Sequence, residues 1–312
     1  MHKLFLFLFL PLLCYSQRII NYEEQFSGEI KLSDDIEIPQ VAAGYTLWLP
    51  NSKPDGAVVF FHAERDTLSP STIRDLSLKR NLAVLFVTTE NRLEFFFEVK
   101  QMRQVERFIY ESCLSHGIPL GNLLFSGMSL EGTRALKMAV FSKSEDSKYR
   151  LIPKALVICD SPLDMVRFWA ETNKAWRMNL NEVSASEGQW VSQYLAKNLG
   201  GKPEDVLTNY INYSPFCYTA EHGGNARFLT DIPIKAYTEP DVKWWMENRG
   251  KDYYSMNAID AAALINQLQI DGNTEAELIL TENKGYRPDG SRHPHSWSIV
   301  DEREMLDWFL SL

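Results

Sequence analysis

The sequence predicts an α/β protein with a mostly parallel central sheet that is covered by helices on both faces. Short runs of consecutive apolar residues recur along the chain, and such runs are typical of strands buried on both sides. Segments with helical periodicity separate these runs, and this alternation is the pattern of a doubly covered sheet. With 312 residues, the chain is long enough to bury the core of one large domain of this kind.

Each element rests on its own pattern. Apolar residues at helical spacing predict helices around residues 132–140 and 261–268, and a terminal helix within 301–312. The alternating segments FSGEIKL and YTLWLP, within residues 26–50, predict an antiparallel hairpin or meander. The runs predicted to be core strands are AVVFF (57–61), LAVLFV (82–87), NLLFS (122–126), ALVIC (155–159), IPIKAY (232–237) and AELIL (276–280).

The first residues predict a signal peptide. A basic residue precedes an apolar run over residues 4–13, and small residues lead to Ser16. This pattern predicts cleavage after Ser16, which makes residues 1–16 the leader of an exported protein that is periplasmic or extracellular. The run is shorter than the roughly twenty apolar residues that span a bilayer. Acylation of Cys14, as in a lipoprotein, is the less favoured alternative because Leu13 is bulky.

Charge and cysteine content exclude several classes of function. A formal net charge of −9 disfavours nucleic acid and anionic lipid as main partners. After cleavage Cys113, Cys159 and Cys217 remain, and an odd count excludes a fully paired disulfide framework. A Cys113–Cys217 bridge is compatible with export but is not indicated by the spacing. None of the three has the neighbours expected of a thiol nucleophile.

The segment NLLFSGMSLEGTRALKMAV places Gly127, Met128 and Ser129 where a strand passes into a helix. A sharp turn at such a junction projects a serine hydroxyl from a strained backbone, where an adjacent base can activate it. The free N–H groups of the helix start favour a developing oxyanion. We therefore expect Ser129 to be a nucleophile, with Met128 close to the substrate.

This segment resembles the nucleophile elbow G-x-S-x-G of the α/β-hydrolase superfamily. Glu131 stands at the position of the last glycine, and Gly132 follows it. The resemblance extends over residues 17–312 in strand order, and it implies the α/β-hydrolase fold. It also implies an acid and a histidine that follow the serine in that order.

The segment IPIKAYTEPD resembles the strand and loop that carry the acid in this superfamily. Aligned in this way, Asp241 takes the position of the acid, and Glu239 is the alternative. Such a carboxylate would orient the imidazole and stabilise its charged form.

The histidine is expected after the last core strand, where the candidates are His293 and His295. His295 is favoured because it directly precedes the terminal helix, whereas His293 precedes a proline. Residues 287–292 form a short insertion before them. A metal bound by the H-x-H pair is a rival interpretation, but no third ligand is evident, so neither metal nor cofactor is predicted.

The oxyanion hole is expected to use the N–H of Leu130 and a second N–H from the loop after the AVVFF strand. There His62-Ala63 matches the H-G often found in the superfamily, so the second donor is Ala63 or Glu64. His62 itself either contacts substrate or caps the strand end through nearby backbone.

The interval 163–228 is too long for a simple crossover, and we interpret it as a helical cap over the carboxyl edge of the sheet. A helical excursion on the flank of the sheet is the alternative. The cap is rich in aromatic residues, and Trp244 and Trp245 follow the predicted acid closely. These two tryptophans either wall a substrate pocket or serve in packing.

Together these features predict a serine hydrolase that cleaves an ester or amide of a small molecule or peptide through an acyl-enzyme. The aromatic cap slightly favours an ester with an apolar acyl group. The alternative is an exported binding protein that keeps the fold without catalysis, and Glu131 and the insertion at 287–292 are the features that favour it.

Overall fold

The computed structural model describes residues 18–24, 31–33, 36–37, 41–64 and 71–312. The predicted leader, including Cys14, lies outside these residues. Within them, no helix has the length and apolar character needed to cross a bilayer.

Strands and helices alternate along most of the described chain. The strands are β1 (Arg18–Glu23), β2 (Lys31–Ser33), β3 (Ile36–Glu37), β4 (Gly44–Leu49), β5 (Gly56–Phe60), β6 (Leu82–Thr88), β7 (Leu123–Met128), β8 (Ala155–Cys159), β9 (Ile234–Thr238) and β10 (Ala276–Leu280). The α-helices are α1 (Thr72–Lys79), α2 (Val99–His116), α3 (Leu130–Ser142), α4 (Met165–Met178), α5 (Glu182–Leu199), α6 (Pro203–Tyr213), α7 (Val242–Arg249), α8 (Ala258–Ile270) and α9 (Glu302–Ser311).

Eight strands form one sheet in the order β1-β4-β6-β5-β7-β8-β9-β10. β4 runs antiparallel to both of its neighbours, β1 and β6, and every pair from β6 to β10 is parallel. Helices α1 and α9 cover one face of the sheet, and α2, α3 and α8 cover the other. Every residue of β5, β6, β8 and β9 is buried, which explains their continuous apolar sequences.

All six predicted core strands are present, but the predicted hairpin is wrong. YTLWL forms β4, which pairs with β1 and β6 instead of FSGEIKL. Of the latter segment, residues 26–30 lie outside the described part, and β2 pairs only with β3 in a separate ribbon. β1 was not predicted, because it is an edge strand whose side chains are largely exposed. Its sequence, RIINYE, therefore lacks the apolar pattern of a buried strand face. Cys113, Cys159 and Cys217 are all buried free thiols.

Helices α4, α5 and α6 lie between β8 and β9, in the interval predicted to be a cap. Their apolar cluster is separate from the two cores on the sheet, and it also includes Phe95 and Phe97 of the loop before α2 and Leu130 of α3. Its buried members from these helices are Met165, Trp169, Val191, Leu195, Leu199, Tyr210 and Tyr213.

A buried arginine joins α3 to the loops at the carboxyl edge of the sheet. Arg134 is 3% exposed, and its guanidinium donates to the backbone carbonyls of Phe61 at 2.7 Å, Arg92 at 2.8 Å and Glu94 at 2.5 Å. Burial lowers its pKa, and the carboxylates of Glu131 and Glu94 oppose that shift. Arg134 thus fixes the loop after β5 relative to α3, the helix that follows Ser129.

We expect Arg134→Met to lower the free energy of unfolding by at least about 3 kcal/mol, because three carbonyls lose their charged donor. Urea denaturation measures this loss. Arg103→Met is the matched control, since Arg103 binds Asp146 on the surface and its loss should cost at most about 1 kcal/mol. A near-neutral Arg134→Met would contradict the assigned role.

Candidate active site

Ser129 occupies a sharp turn between β7 and α3. Its backbone has φ 57° and ψ −130°, a conformation that is strained for a residue with a side chain. Its N–H donates to the carbonyl of Cys159 at 2.8 Å, which ties the turn to the end of β8. The hydroxyl makes no capping hydrogen bond to α3, so the turn presents it outward at the start of the helix.

Two glycines allow this turn. A Cβ on Gly127 would lie 2.4 Å from the carbonyl carbon of Glu131, and a Cβ on Gly132 would lie 2.0 Å from Ser161 Oγ. Gly132 therefore occupies the crowded position, one residue later than the G-x-S-x-G pattern suggests. The side chain of Glu131 is 28% exposed and lies beside His62, so it does not obstruct the turn.

His295 is held by Asp160. The imidazole Nδ1 lies 2.6 Å from Asp160 Oδ2. Asp160 directly follows β8 and is 7% exposed; its N–H donates to the carbonyl of Tyr237 at 2.8 Å, and its Oδ1 accepts from the hydroxyl of Thr238 at 3.0 Å. These contacts fix the carboxylate on the sheet, and Nδ1 bound in this way leaves Nε2 available for another group.

The predicted acid, Asp241, does not contact His295. It caps α7 by accepting from the N–H of Trp244 at 3.0 Å, and its other oxygen lies 2.7 Å from Arg292 Nη2. The alternative, Glu239, also binds this arginine at 2.5 Å and accepts from the N–H groups of Lys284 and Gly285. Both carboxylates thus form hydrogen bonds or ion pairs with the loop that leads to His295.

Asp160 was missed because the resemblance directed the search for an acid to the loop after β9. The local signal was nonetheless present: Asp160 directly follows the run ALVIC. The carboxyl ends of parallel strands meet at one edge of the sheet. Because β8 pairs directly with β7, a residue that follows β8 lies next to the end of β7, where Ser129 stands.

The loop after β5 lies one strand away from the turn at Ser129, since β5 pairs with β7. His62 Nδ1 lies 2.9 Å from the carbonyl of Ala63, and Nε2 lies 3.9 Å from Glu131. Two roles were predicted for His62, a contact with substrate and a contact with nearby backbone, and the structure contains the backbone contact. Ala63 and Glu64 follow it on the same loop, beside α3.

Ser129 and His295 line the same cavity, of about 290 Å³, together with Asp160 and His293. No hydrogen bond joins the hydroxyl of Ser129 to His295 in this structure. Helices α4 and α5 contribute Phe168 and other residues to the wall, so the interval predicted to be a cap does border the site.

The predicted substrate contacts divide into two groups. Trp245 lines this cavity, and Trp244 packs on His293 with 4.6 Å between ring centroids. Met128 instead packs against the core beneath α1 and α9, and neither it nor His62 is among the described residues that line the cavity.

Charged side chains make up much of the cavity wall. Glu171 of α4 is 6% exposed, and Lys251 Nζ lies 2.8 Å from its Oε1. Glu187, Arg249 and Arg287 also line the cavity. Phe168, Val183, Trp245 and Met256 line it as well, so the wall is mixed rather than wholly apolar.

His293 stands beside His295, with 6.3 Å between ring centroids, and packs against Trp244 and Trp245. Its Nε2 faces Arg249 Nη2 at 3.3 Å. Burial, with the charges of Arg287, His295 and Arg249, lowers its pKa to about 4. Among the described residues, no group of three His, Cys, Asp or Glu side chains could hold a metal ion.

No protein-family model and no curated protein matches the chain. Solved structures do match it, and they share the α/β-hydrolase fold, which is therefore the fold of this chain. Acylaminoacyl peptidase from Pyrococcus horikoshii superposes with a TM-score of 0.53 and 12% identity over 94% of this chain and 40% of its own length. A puromycin-hydrolyzing peptidase from Mycobacterium tuberculosis gives 0.55 and 14% over 86% of this chain and 38% of its own.

A hyperthermophilic esterase from Pyrobaculum calidifontis gives a TM-score of 0.52 and 14% identity over 95% of this chain and 82% of its own length. The chain thus spans most of that esterase but about two fifths of the two peptidases. At these identities the likeness concerns the fold.

The lowered pKa of His293 predicts a pH dependence of stability. Between pH 6.5 and about 4, His293 is neutral in the folded protein but protonated in the unfolded chain. The unfolded state then binds more protons, so the free energy of unfolding falls as the pH falls through this window. We expect His293→Phe, which keeps the ring packing without titrating, to make this fall shallower in denaturant titrations.

His222 is the control, because it pairs with Asp271 and its pKa is raised instead. Its stabilisation is fully present below pH 6.5 and is lost only as the pH rises above that value, so His222→Phe should leave the fall between pH 6.5 and about 4 as steep as in wild type. Identical pH profiles for wild type and His293→Phe would refute the assignment.

Proposed function

We propose that the protein is a serine hydrolase that cleaves an ester or amide by acyl transfer. Ser129 is the nucleophile, His295 the general base and Asp160 the acid that orients His295. The observation that carries this proposal is a strained serine at a strand–helix turn that faces the same cavity as a histidine held at 2.6 Å by a buried carboxylate.

In the proposed reaction, Nε2 of His295 takes the proton of the Ser129 hydroxyl while Oγ attacks the substrate carbonyl. The imidazolium formed is stabilised by Asp160, and it then protonates the leaving alcohol or amine. Water attacks the acyl-enzyme with His295 again as base, which releases the acid and restores Ser129. Hydrogen bonds between a nucleophile and its base commonly form fully only when substrate is bound. The absence of a hydrogen bond between Ser129 and His295 in this structure is therefore compatible with the scheme.

The oxyanion of the tetrahedral intermediate would be held by the N–H of Leu130 and by that of Ala63 or Glu64. The first N–H groups of a helix have no partner within it, so the start of α3 supplies a donor. Arg134 supports the second donor, because it bonds to the carbonyl of Phe61 just before that loop.

The cavity wall does not favour an ester over an amide, and the structural neighbours include both esterases and peptidases. A non-catalytic binding protein was suggested by Glu131 and by the insertion at 287–292. Glu131 lies beside His62, and Arg292 anchors the insertion, whose Arg287 lines the cavity. The binding protein therefore stays the second candidate, and the probe experiment below separates the two. Export through residues 1–16 is part of the proposal.

A fluorophosphonate probe tests the nucleophile. We expect covalent labelling of Ser129 that is abolished in Ser129→Ala and slowed at least about a hundredfold in His295→Ala, because the hydroxyl loses its base. Mass spectrometry of the labelled peptide identifies the site. Ser311→Ala, at the far end of α9, should label like wild type. A folded wild-type protein that resists the probe would overturn the proposal.

Two matched carboxamide variants test the acid. We expect Asp160→Asn to lower kcat/KM on an activated ester by about a thousandfold or more, because the imidazole loses the carboxylate that orients it. Asp241→Asn removes only a contact to Arg292, so its activity should stay within about tenfold of wild type. A larger loss in Asp241→Asn than in Asp160→Asn would reverse the assignment.

A further inference from the structure

Two guanidinium groups line the proposed catalytic cavity without a carboxylate partner. Arg249 ends α7, and Arg287 lies in the loop between β10 and α9; both border the cavity that holds Ser129 and His295. Among the described residues, neither has a carboxylate oxygen within ion-pair distance. The nearest acid in sequence to Arg287 is Asp289, whose carboxylate accepts from the N–H of Ser291 instead.

The other charges of this wall are arranged differently. Lys251 is neutralised by Glu171 at 2.8 Å. Glu187 lies on α5, on the cap side of the cavity, and its side chain is exposed. The cavity wall thus carries two arginines without an ion-pair partner near His293, whereas its carboxylates are Asp160, which holds His295, and Glu171 and Glu187 of α4 and α5.

The surroundings of His293 support this arrangement independently. The charges of Arg287 and Arg249 both act on its ring, and no carboxylate is among the groups that shift its pKa. Its Nε2 faces Arg249 as a neutral acceptor, so it offers that arginine a hydrogen bond but no countercharge. Hydrogen bonds from Ser291 lower the pKa of the exposed Asp289 carboxylate, and the charge of Arg287 helps to lower it, but Asp289 forms no ion pair with that arginine.

We infer that the end of the cavity beside His293 binds an anionic group of the substrate, and that Arg249 and Arg287 determine specificity for an ester or amide that carries a carboxylate. A guanidinium offers paired N–H donors that match the two oxygens of a carboxylate. The inference rests on the proposed function of the same cavity.

Two esters of equal chain length test the inference: mono-para-nitrophenyl adipate, which ends in a carboxylate, and para-nitrophenyl hexanoate, which ends in a methyl group. We expect wild type to prefer the adipate ester in kcat/KM by about tenfold or more at low ionic strength. Arg287→Gln and Arg249→Gln should each lower this preference several-fold, mainly through KM, and added salt should weaken it in wild type.

Arg303→Gln is the matched control, because Arg303 is exposed on α9 and does not line this cavity. It should keep the wild-type preference. A wild type that treats both esters alike, or a preference that survives in both arginine variants, would overturn the inference while leaving the hydrolase proposal intact.

A binding measurement separates failure of this inference from failure of the proposed function. If neither ester is cleaved and the fluorophosphonate leaves Ser129 unlabelled, the hydrolase proposal fails. Thermal unfolding in sodium adipate, compared with sodium chloride of equal ionic strength, then tests the anion site alone. A rise in Tm in wild type that is lost in Arg287→Gln supports the site, and no rise in wild type refutes it.

Discussion

The end of β8 organises the whole site. Its last residue, Cys159, accepts the N–H of Ser129 at 2.8 Å, and its Sγ lies 3.7 Å from the carbonyl of Ser296. The next residue, Asp160, holds His295 at 2.6 Å. Segments that lie far apart in sequence therefore meet at one strand end, and their relative positions follow from the register of β7, β8 and β9. Because this part of the sheet is fully buried, the constraint is rigid.

A second constraint places the loop that carries the histidines. Arg292 binds both Glu239 and Asp241, and it also donates to the carbonyl of Gly285 at 2.7 Å. The side chain of Glu239 is 1% exposed, and a carboxylate so buried is costly unless it is paired and hydrogen-bonded. Arg292 and the N–H groups of the loop meet that requirement. The end of β9 thus contributes an anchor for the histidine loop, while the end of β8 contributes Asp160, the proposed acid.

The six core strands could be predicted from the sequence because their residues are buried on both faces, so that their apolarity is continuous and local. The acid could not be chosen in the same way. Asp160 and Asp241 both follow strands of the parallel sheet. They differ in their partners, because the carboxylate of Asp241 binds Arg292, a residue 51 positions further along the chain. Pairing over such a distance leaves no mark in either local sequence. The turn at Ser129, the proposed nucleophile, was predictable because its strained backbone requires neighbouring small residues, here Gly127 and Gly132.

The aromatic content of the predicted cap is a poor guide to the chemistry of the cavity wall. Its many aromatic residues suggested an apolar pocket, yet Trp169 and Tyr210 are buried in the apolar cluster shared with Phe95. At the boundary between the predicted cap and the sheet, Phe95, Phe97 and Leu130 pack against this cluster. Ion pairs cross the same boundary: Arg167–Asp260, Lys251–Glu171 and Lys174–Asp252. Directional charged contacts and apolar packing thus hold the boundary together. The cavity wall combines apolar side chains with charged ones from both sides of this boundary, and the charged ones could not be predicted from the number of aromatic residues.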